Sequence, residues 1–103
     1  MPLFPIFLKL TGRPCMVVGG GNLGESKIES LQVANARVTV IAPKAGARIA
    51  EMAAAGEIVW HRREYVAGDL AGQFLAVAAT DEPAVNRAVF AEAEAAGILV
   101  NAV

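Results

Sequence analysis

Short apolar runs alternate along this chain with Ala-rich stretches of helical spacing, and three junctions between them share one form. Residues 32–36, Gln-Val-Ala-Asn-Ala, lead into Arg37-Val38-Thr39-Val40-Ile41. Residues 52–56 lead into Glu57-Ile58-Val59-Trp60, and residues 94–97 into Ile98-Leu99-Val100-Asn101. In each, the helical stretch stops at a residue that tolerates the left-handed conformation, Gly twice and Asn once. A β-branched run then begins at once. That recurrence predicts repeated αβ units of a parallel sheet.

The pattern places an extended N-terminal piece over residues 4–9 and a turn at Thr11-Gly12-Arg13-Pro14. The first strand covers 15–19, an unbroken apolar run suited to burial on both faces. A first helix follows over 22–34, with Leu23, Ile28, Leu31 and Gln32 at amphipathic spacing. The second strand is 37–42, the second helix 44–55, the third strand 58–61 and the fourth 74–79. A third helix opens near Asp81-Glu82-Pro83, with Asp81 as the expected N-cap and Pro83 in the first turn. The fifth strand is 98–102. About a dozen residues join strands three and four, with room for one helical turn over 69–72. The expected class is α/β, a parallel sheet of about five strands in three layers. The chain ends at Val103 in or just past a strand, so a domain truncated before a following segment is expected.

Composition narrows the class. With 103 residues, 55% hydrophobic and 18% charged, the chain builds one core and is not disordered. Nine basic and ten acidic residues give a net charge of −1, with no basic stripe for nucleic acid. Apolar stretches fall short of the roughly 18 residues a membrane span needs. The opening Met1-Pro2-Leu3-Phe4-Pro5 lacks the basic region and cleavage site of a signal peptide. Cys15 is the only cysteine and forms neither an internal disulfide nor a metal site by itself. A soluble protein of a reducing compartment, the cytoplasm, is expected.

The candidate chemistry lies in Val17-Val18-Gly19-Gly20-Gly21-Asn22-Leu23-Gly24. Gly19, Gly21 and Gly24 form Gly-x-Gly-x-x-Gly directly after a buried strand and at the start of a helix, the setting of a dinucleotide-binding loop. Gly19 permits the tight turn, Gly21 lets a pyrophosphate approach the backbone, and Gly24 lets the helix pack against the sheet. The N–H groups of Gly21, Asn22 and Leu23 would face the anion. An ordinary Gly-rich turn is the plainer alternative. The fold is then a Rossmann-like, doubly wound sheet. The acid that commonly binds the adenosine ribose is missing, since Ala42-Pro43-Lys44 stands at the end of strand two. Lys44 has two readings, facing a 2′-phosphate or solvated beside helix two.

With these residues in hand, the chain resembles the N-terminal dehydrogenase module of siroheme synthases, the precorrin-2 dehydrogenase and sirohydrochlorin ferrochelatase family. The resemblance covers essentially the whole chain. It rests on Phe4-Pro5-Ile6-Phe7-Leu8-Lys9-Leu10, the glycine loop, Val38 to Pro43, Asp69-Leu70-Ala71-Gly72, Ala78-Ala79-Thr80-Asp81 with Val85-Asn86, and Val100-Asn101-Ala102-Val103. It implies NAD-dependent oxidation of the tetrapyrrole precorrin-2 to sirohydrochlorin, with iron insertion in some members and a homodimer joined through a segment beyond this domain. It also implies cofactor contacts from Asn22, Leu23, Pro43 and Lys44, with Ala79 and Thr80 near the nicotinamide ribose. The family lacks the ribose acid as well. Departures are Ser26 where the family has Arg, Gly24 where it has Ala and Asn35 where it has Gly. The family's catalytic aspartate would follow Val103, so no residue here is assigned a catalytic or metal-binding role. The 103 residues alone are expected to bind a dinucleotide without turning over substrate.

Other polar and aromatic residues read more plainly. His61, Arg62 and Arg63 are expected at the surface, Trp60 and Tyr65 in packing, and Cys15 as a small buried hydrophobe. Asp81 reads as a cap before a catalytic acid. Asn101, at the carboxyl end of a strand, is the candidate for the tetrapyrrole side. A nucleotide-sensing module without catalysis is the competing function.

Overall fold

The computed structural model describes residues 2–102. Met1, the first residue of the opening segment, and Val103, the last of the Val100-Asn101-Ala102-Val103 motif, lie outside the described residues. The elements are β1 (Pro14–Val18), α1 (Asn22–Val33), β2 (Arg37–Ile41), α2 (Ala47–Ala54), β3 (Val59–His61), β4 (Leu75–Ala78), α3 (Pro83–Ala96) and β5 (Leu99–Ala102). The five strands form one parallel sheet in the order β3-β2-β1-β4-β5. Chain order reverses between β1 and β4, the switch point of a doubly wound Rossmann-like fold.

The three helix-to-strand junctions owe their likeness to one hydrogen bond. Asn35, Gly56 and Gly97 have φ of 62°, 76° and 68°. The next N–H in each case reaches back over the helix end: Ala36 to Leu31 (3.1 Å), Glu57 to Met52 (2.9 Å) and Ile98 to Ala93 (2.8 Å). This is the Schellman closure, which satisfies carbonyls that the helix leaves open.

Alternation along β1 divides the core. Cys15 and Val17 face the layer holding Ile28 and Leu31 of α1 and Ile49 and Met52 of α2. Met16 and Val18 face Leu70 and, on α3, Val89 and Ala93. Ala76 and Ala78 of β4 are fully buried on this second face and leave room for α3 to sit close. Residues 2–9, where the extended segment is expected, are neither helix nor strand and lie exposed.

Three local expectations are corrected. The second helix begins at Ala47, not at residue 44. Residues 44–46 are instead tied to the glycine loop, with Gly46 N–H donating to the Gly20 carbonyl (3.2 Å). Residues 69–72 form turns rather than a helical turn, because Gly68 (φ 99°) and Gly72 (φ 80°) bracket them in left-handed conformations that break a helix. The cap of α3 is described with the site below.

Side chains hold the β3–β4 crossover in the helix's place. Glu92 of α3 accepts from the N–H groups of Gly68 and Leu70, each at 3.0 Å, and from the Tyr65 hydroxyl. Arg63 forks onto Asp69 at 2.8 and 2.9 Å and holds its carboxyl below the usual range. Burial, then the Glu92 hydrogen bond, push the Tyr65 phenol well above its ordinary value near 10. A pKa raised on folding contributes stability that is complete below about pH 10 and is lost as pH rises through the folded value. Tyr65 is the only tyrosine, so its ultraviolet phenolate absorbance reads this group alone. The titration midpoint should lie clearly above 10 in the native protein, and Glu92→Gln should bring it down. A native midpoint at the ordinary value would refute the contact.

Candidate functional site

The carboxyl ends of β1, β2 and β4 open into a cleft of about 850 Å³ at the switch point, a size typical of small-molecule sites. Its base is Gly19 to Leu23. One wall is Ala42 to Ala45 and the other Ala79 to Glu82. The structure thus brings Gly19, Gly20, Gly21, Asn22, Leu23, Pro43, Lys44, Ala79 and Thr80 to one place. Gly24 is buried behind the loop. Asn101 lies elsewhere: it pairs in register with Val77 and lines an apolar groove beside Leu99, Lys27 and Ser30.

The glycines divide by what a side chain would meet. Gly19 has φ of 129°, and an added Cβ would lie 2.2 Å from the Ala79 carbonyl oxygen. At Gly20 it would lie 2.3 Å from the Lys44 carbonyl oxygen, and at Gly24 2.3 Å from that of Gly19. These three are needed because protein fills the space. At Gly21, φ is −85° and an added Cβ meets nothing within 4 Å. That glycine keeps a path to the backbone clear.

Beside that path stands the start of α1. Gly21 is its N-cap, with no side-chain cap, and the Glu25 N–H makes the first intrahelical bond to the Gly21 carbonyl (2.9 Å). Helix geometry leaves the amides of Asn22, Leu23 and Gly24 without intrahelical acceptors. With the helix dipole they form an anion site. Such a base suits a phosphate group, and the β2 and β4 walls lie on either side of it.

The far wall corrects the cap assignment. Glu82, not Asp81, is the N-cap of α3, and its own side chain makes no cap bond. Pro83 at the first helical position fixes the cap one residue later than expected. Just outside the helix, Thr80 Oγ1 accepts from the Glu82 N–H (3.1 Å). Asn86 accepts from the Thr80 N–H (3.1 Å) and hydroxyl (2.7 Å), and donates to the Thr80 carbonyl (3.0 Å).

Sequence reasoning missed Asn86 in this role, the Gly20–Lys44 contact, and Glu64 and Tyr65, which also border the cleft. Asn86 carried a signal, a carboxamide set early in a helix behind a Thr-Asp turn. Glu64 and Tyr65 carried none, because only the crossover brings them over the sheet. Trp60 packs as expected, its Nε1 donating to the Ala42 carbonyl (2.9 Å) beside the near wall. His61 is exposed at the end of β3 and outside the cleft. Cys15 is fully buried, and burial pushes its thiol up. Among the described residues no helix is long and apolar enough to cross a membrane.

Comparison with known proteins sharpens this geometry. The family model described as "Putative NAD(P)-binding" matches residues 6–103. A siroheme synthase from Chromobacterium violaceum is 48% identical and one from Methylobacillus flagellatus 44% identical, each over the whole of this chain. The chain spans 22% of the length of those relatives. A solved structure titled "SirC, precorrin-2 dehydrogenase" superposes with a TM-score of 0.82 at 34% identity, over 96% of this chain and 48% of that one.

Proposed function

The chain belongs to the NAD(P)-binding family that it matches over residues 6–103, and on that footing we propose that it carries the cofactor half of an NAD-dependent precorrin-2 dehydrogenase. The reaction is oxidation of precorrin-2 to sirohydrochlorin, in sirohaem biosynthesis. Residues 1–103 act as one NAD(P)-binding domain of a longer cytoplasmic homodimer whose substrate is a tetrapyrrole. The siroheme synthase relatives and the dehydrogenase neighbour support this reading. The observation that carries it is the split among the loop glycines, with protein against Gly19, Gly20 and Gly24 and a clear approach at Gly21.

Bound NAD supplies the hydride acceptor. The chain's own part is placement. The amides of Asn22 and Leu23 at the start of α1 hold the pyrophosphate. Pro43 and Lys44, fixed against Gly20, border the adenosine ribose. Ala79 and Thr80 border the nicotinamide ribose. Orienting two reactants in this way lowers a barrier by up to about 7–11 kcal/mol.

The intact protein should form NADH from NAD and precorrin-2, followed by absorbance. Calorimetric titration should show NAD binding tighter than NADP. The reverse order would overturn the cofactor assignment and turn attention to Lys44, while absence of NADH with intact binding would favour a sensor of nucleotide occupancy.

A further inference from the structure

Thr80 borders the cleft, yet it keeps no free hydrogen-bond donor. Its N–H donates to Asn86 Oδ1. Its single hydroxyl proton has Asn86 Oδ1 at 2.7 Å and the Glu82 carbonyl at 3.1 Å. A threonine has no other donor. Its carbonyl accepts from Asn86 Nδ2 and its hydroxyl from the Glu82 N–H. The Asn86 carboxamide therefore grips the Thr80 main chain on both sides of its Cα, at the N–H and at the C=O, as a neighbouring strand would.

This grip stands where regular structure gives out. The Ala79 N–H donates to the Val18 carbonyl (2.9 Å), and no later residue before α3 joins the β1–β4 pairing. The helix that follows opens on Pro83, which has no N–H to offer. The Ala79–Thr80 peptide also presses on the glycine loop: an added Cβ at Gly19 would lie 2.2 Å from its oxygen and 3.1 Å from its nitrogen. Movement of this turn would alter the wall of the cleft above β4. The adenosine half of a dinucleotide goes toward the end of β2, so the half over β4 is the nicotinamide riboside.

We propose that Asn86 is a positioning residue for the nicotinamide half of the cofactor, acting by holding the Thr80 peptide against the glycine loop, and that the Thr80 hydroxyl serves this brace rather than the ligand. The proposal rests on the dinucleotide reading of the cleft. It assigns the Thr80…Asn86 pair a task that neither residue performs alone.

The test compares NAD with ADP by calorimetry on the intact protein, because ADP reaches the adenosine wall and the phosphate loop but not the wall above β4. Asn86→Ala should weaken NAD about tenfold, the scale of one to two lost net hydrogen bonds, and leave ADP within about twofold. Thr80→Val removes the hydroxyl and keeps both peptide bonds, so it should weaken NAD by about threefold or less. If Asn86→Ala does not fold, Asn86→Asp keeps an acceptor for both Thr80 donors, sets a carboxylate oxygen against the Thr80 carbonyl in place of the Nδ2 donor, and should lower NAD relative to ADP in the same direction. Equal losses for NAD and ADP, or no loss of NAD, would overturn the positioning role. A Thr80→Val defect as large as that of Asn86→Ala would make the hydroxyl a direct ligand and overturn the brace. Wild-type protein that bound neither nucleotide would bring down the dinucleotide reading itself, and this proposal with it.

Discussion

Gly21→Asp is expected to weaken NAD binding by on the order of a hundredfold or more, while the melting temperature stays within a few degrees of wild type. The fold should tolerate the change because φ at this position is −85° and an added Cβ meets nothing within 4 Å. Binding should not tolerate it. The side chain would stand in the approach to the α1 amides and set a carboxylate beside the pyrophosphate. Two like charges about 4 Å apart near a protein surface repel by about 4 kcal/mol, and a hundredfold requires about 2.7. Calorimetry with NAD, alongside a circular dichroism melt, gives both readings. Retained affinity with a normal melt would mean that the anion does not sit at this helix start.

Gly19→Ala should do the opposite and damage the fold before any question of binding arises. The residue has φ of 129°, outside what side-chain-bearing residues adopt at low cost. Its Cβ would lie 2.2 Å from the Ala79 carbonyl oxygen, which belongs to the backbone beside β4 and cannot swing aside. Backbone strain of about 1–3 kcal/mol and overpacking of about 1–3 kcal/mol act together. Against a usual stability of about 5–15 kcal/mol, the melting temperature should drop by about 10 °C or more. A drop of only a degree or two would show that β1 and β4 can part at the switch point without cost. The two substitutions test separately the roles that the motif gives these two glycines.

The αβ repeat was legible because its signals are local. A left-handed residue, a Schellman bond and a β-branched run fall within six residues, so Asn35, Gly56 and Gly97 could be read directly. The glycine loop was legible for the same reason. Part of what escaped the sequence depends on contacts between segments far apart in it. Residues 44–46 read as helix by composition, but the Gly46–Gly20 hydrogen bond draws them to the loop. Residues 69–72 read as a helical turn, but Gly68 and Gly72 are left-handed around them, and Glu92, on a later helix, accepts from the Gly68 and Leu70 amides. Asp81 looked like a cap because it is acidic and early, whereas the Thr80 hydroxyl was already aimed at the Glu82 N–H. Asn101 sits late in a strand, as read, yet strand alternation turns it toward a groove outside the main cleft.

The sheet order also governs how the protein comes to exist. In β1, Cys15 pairs with Val38 of β2 on one side and with Leu75 of β4, sixty positions later, on the other. Contacts that distant form late, and topologies rich in them fold slowly. During synthesis from the N-terminus, β1, β2 and β3 can assemble while β4 is still unmade. Until it arrives, β1 is an edge strand of apolar residues, the kind of surface on which chains associate wrongly. The glycine loop is then a floor without its second wall. A ligand that binds only the two-walled cleft stabilises the chain after β4 has docked, by mass action, and does nothing for the earlier stage.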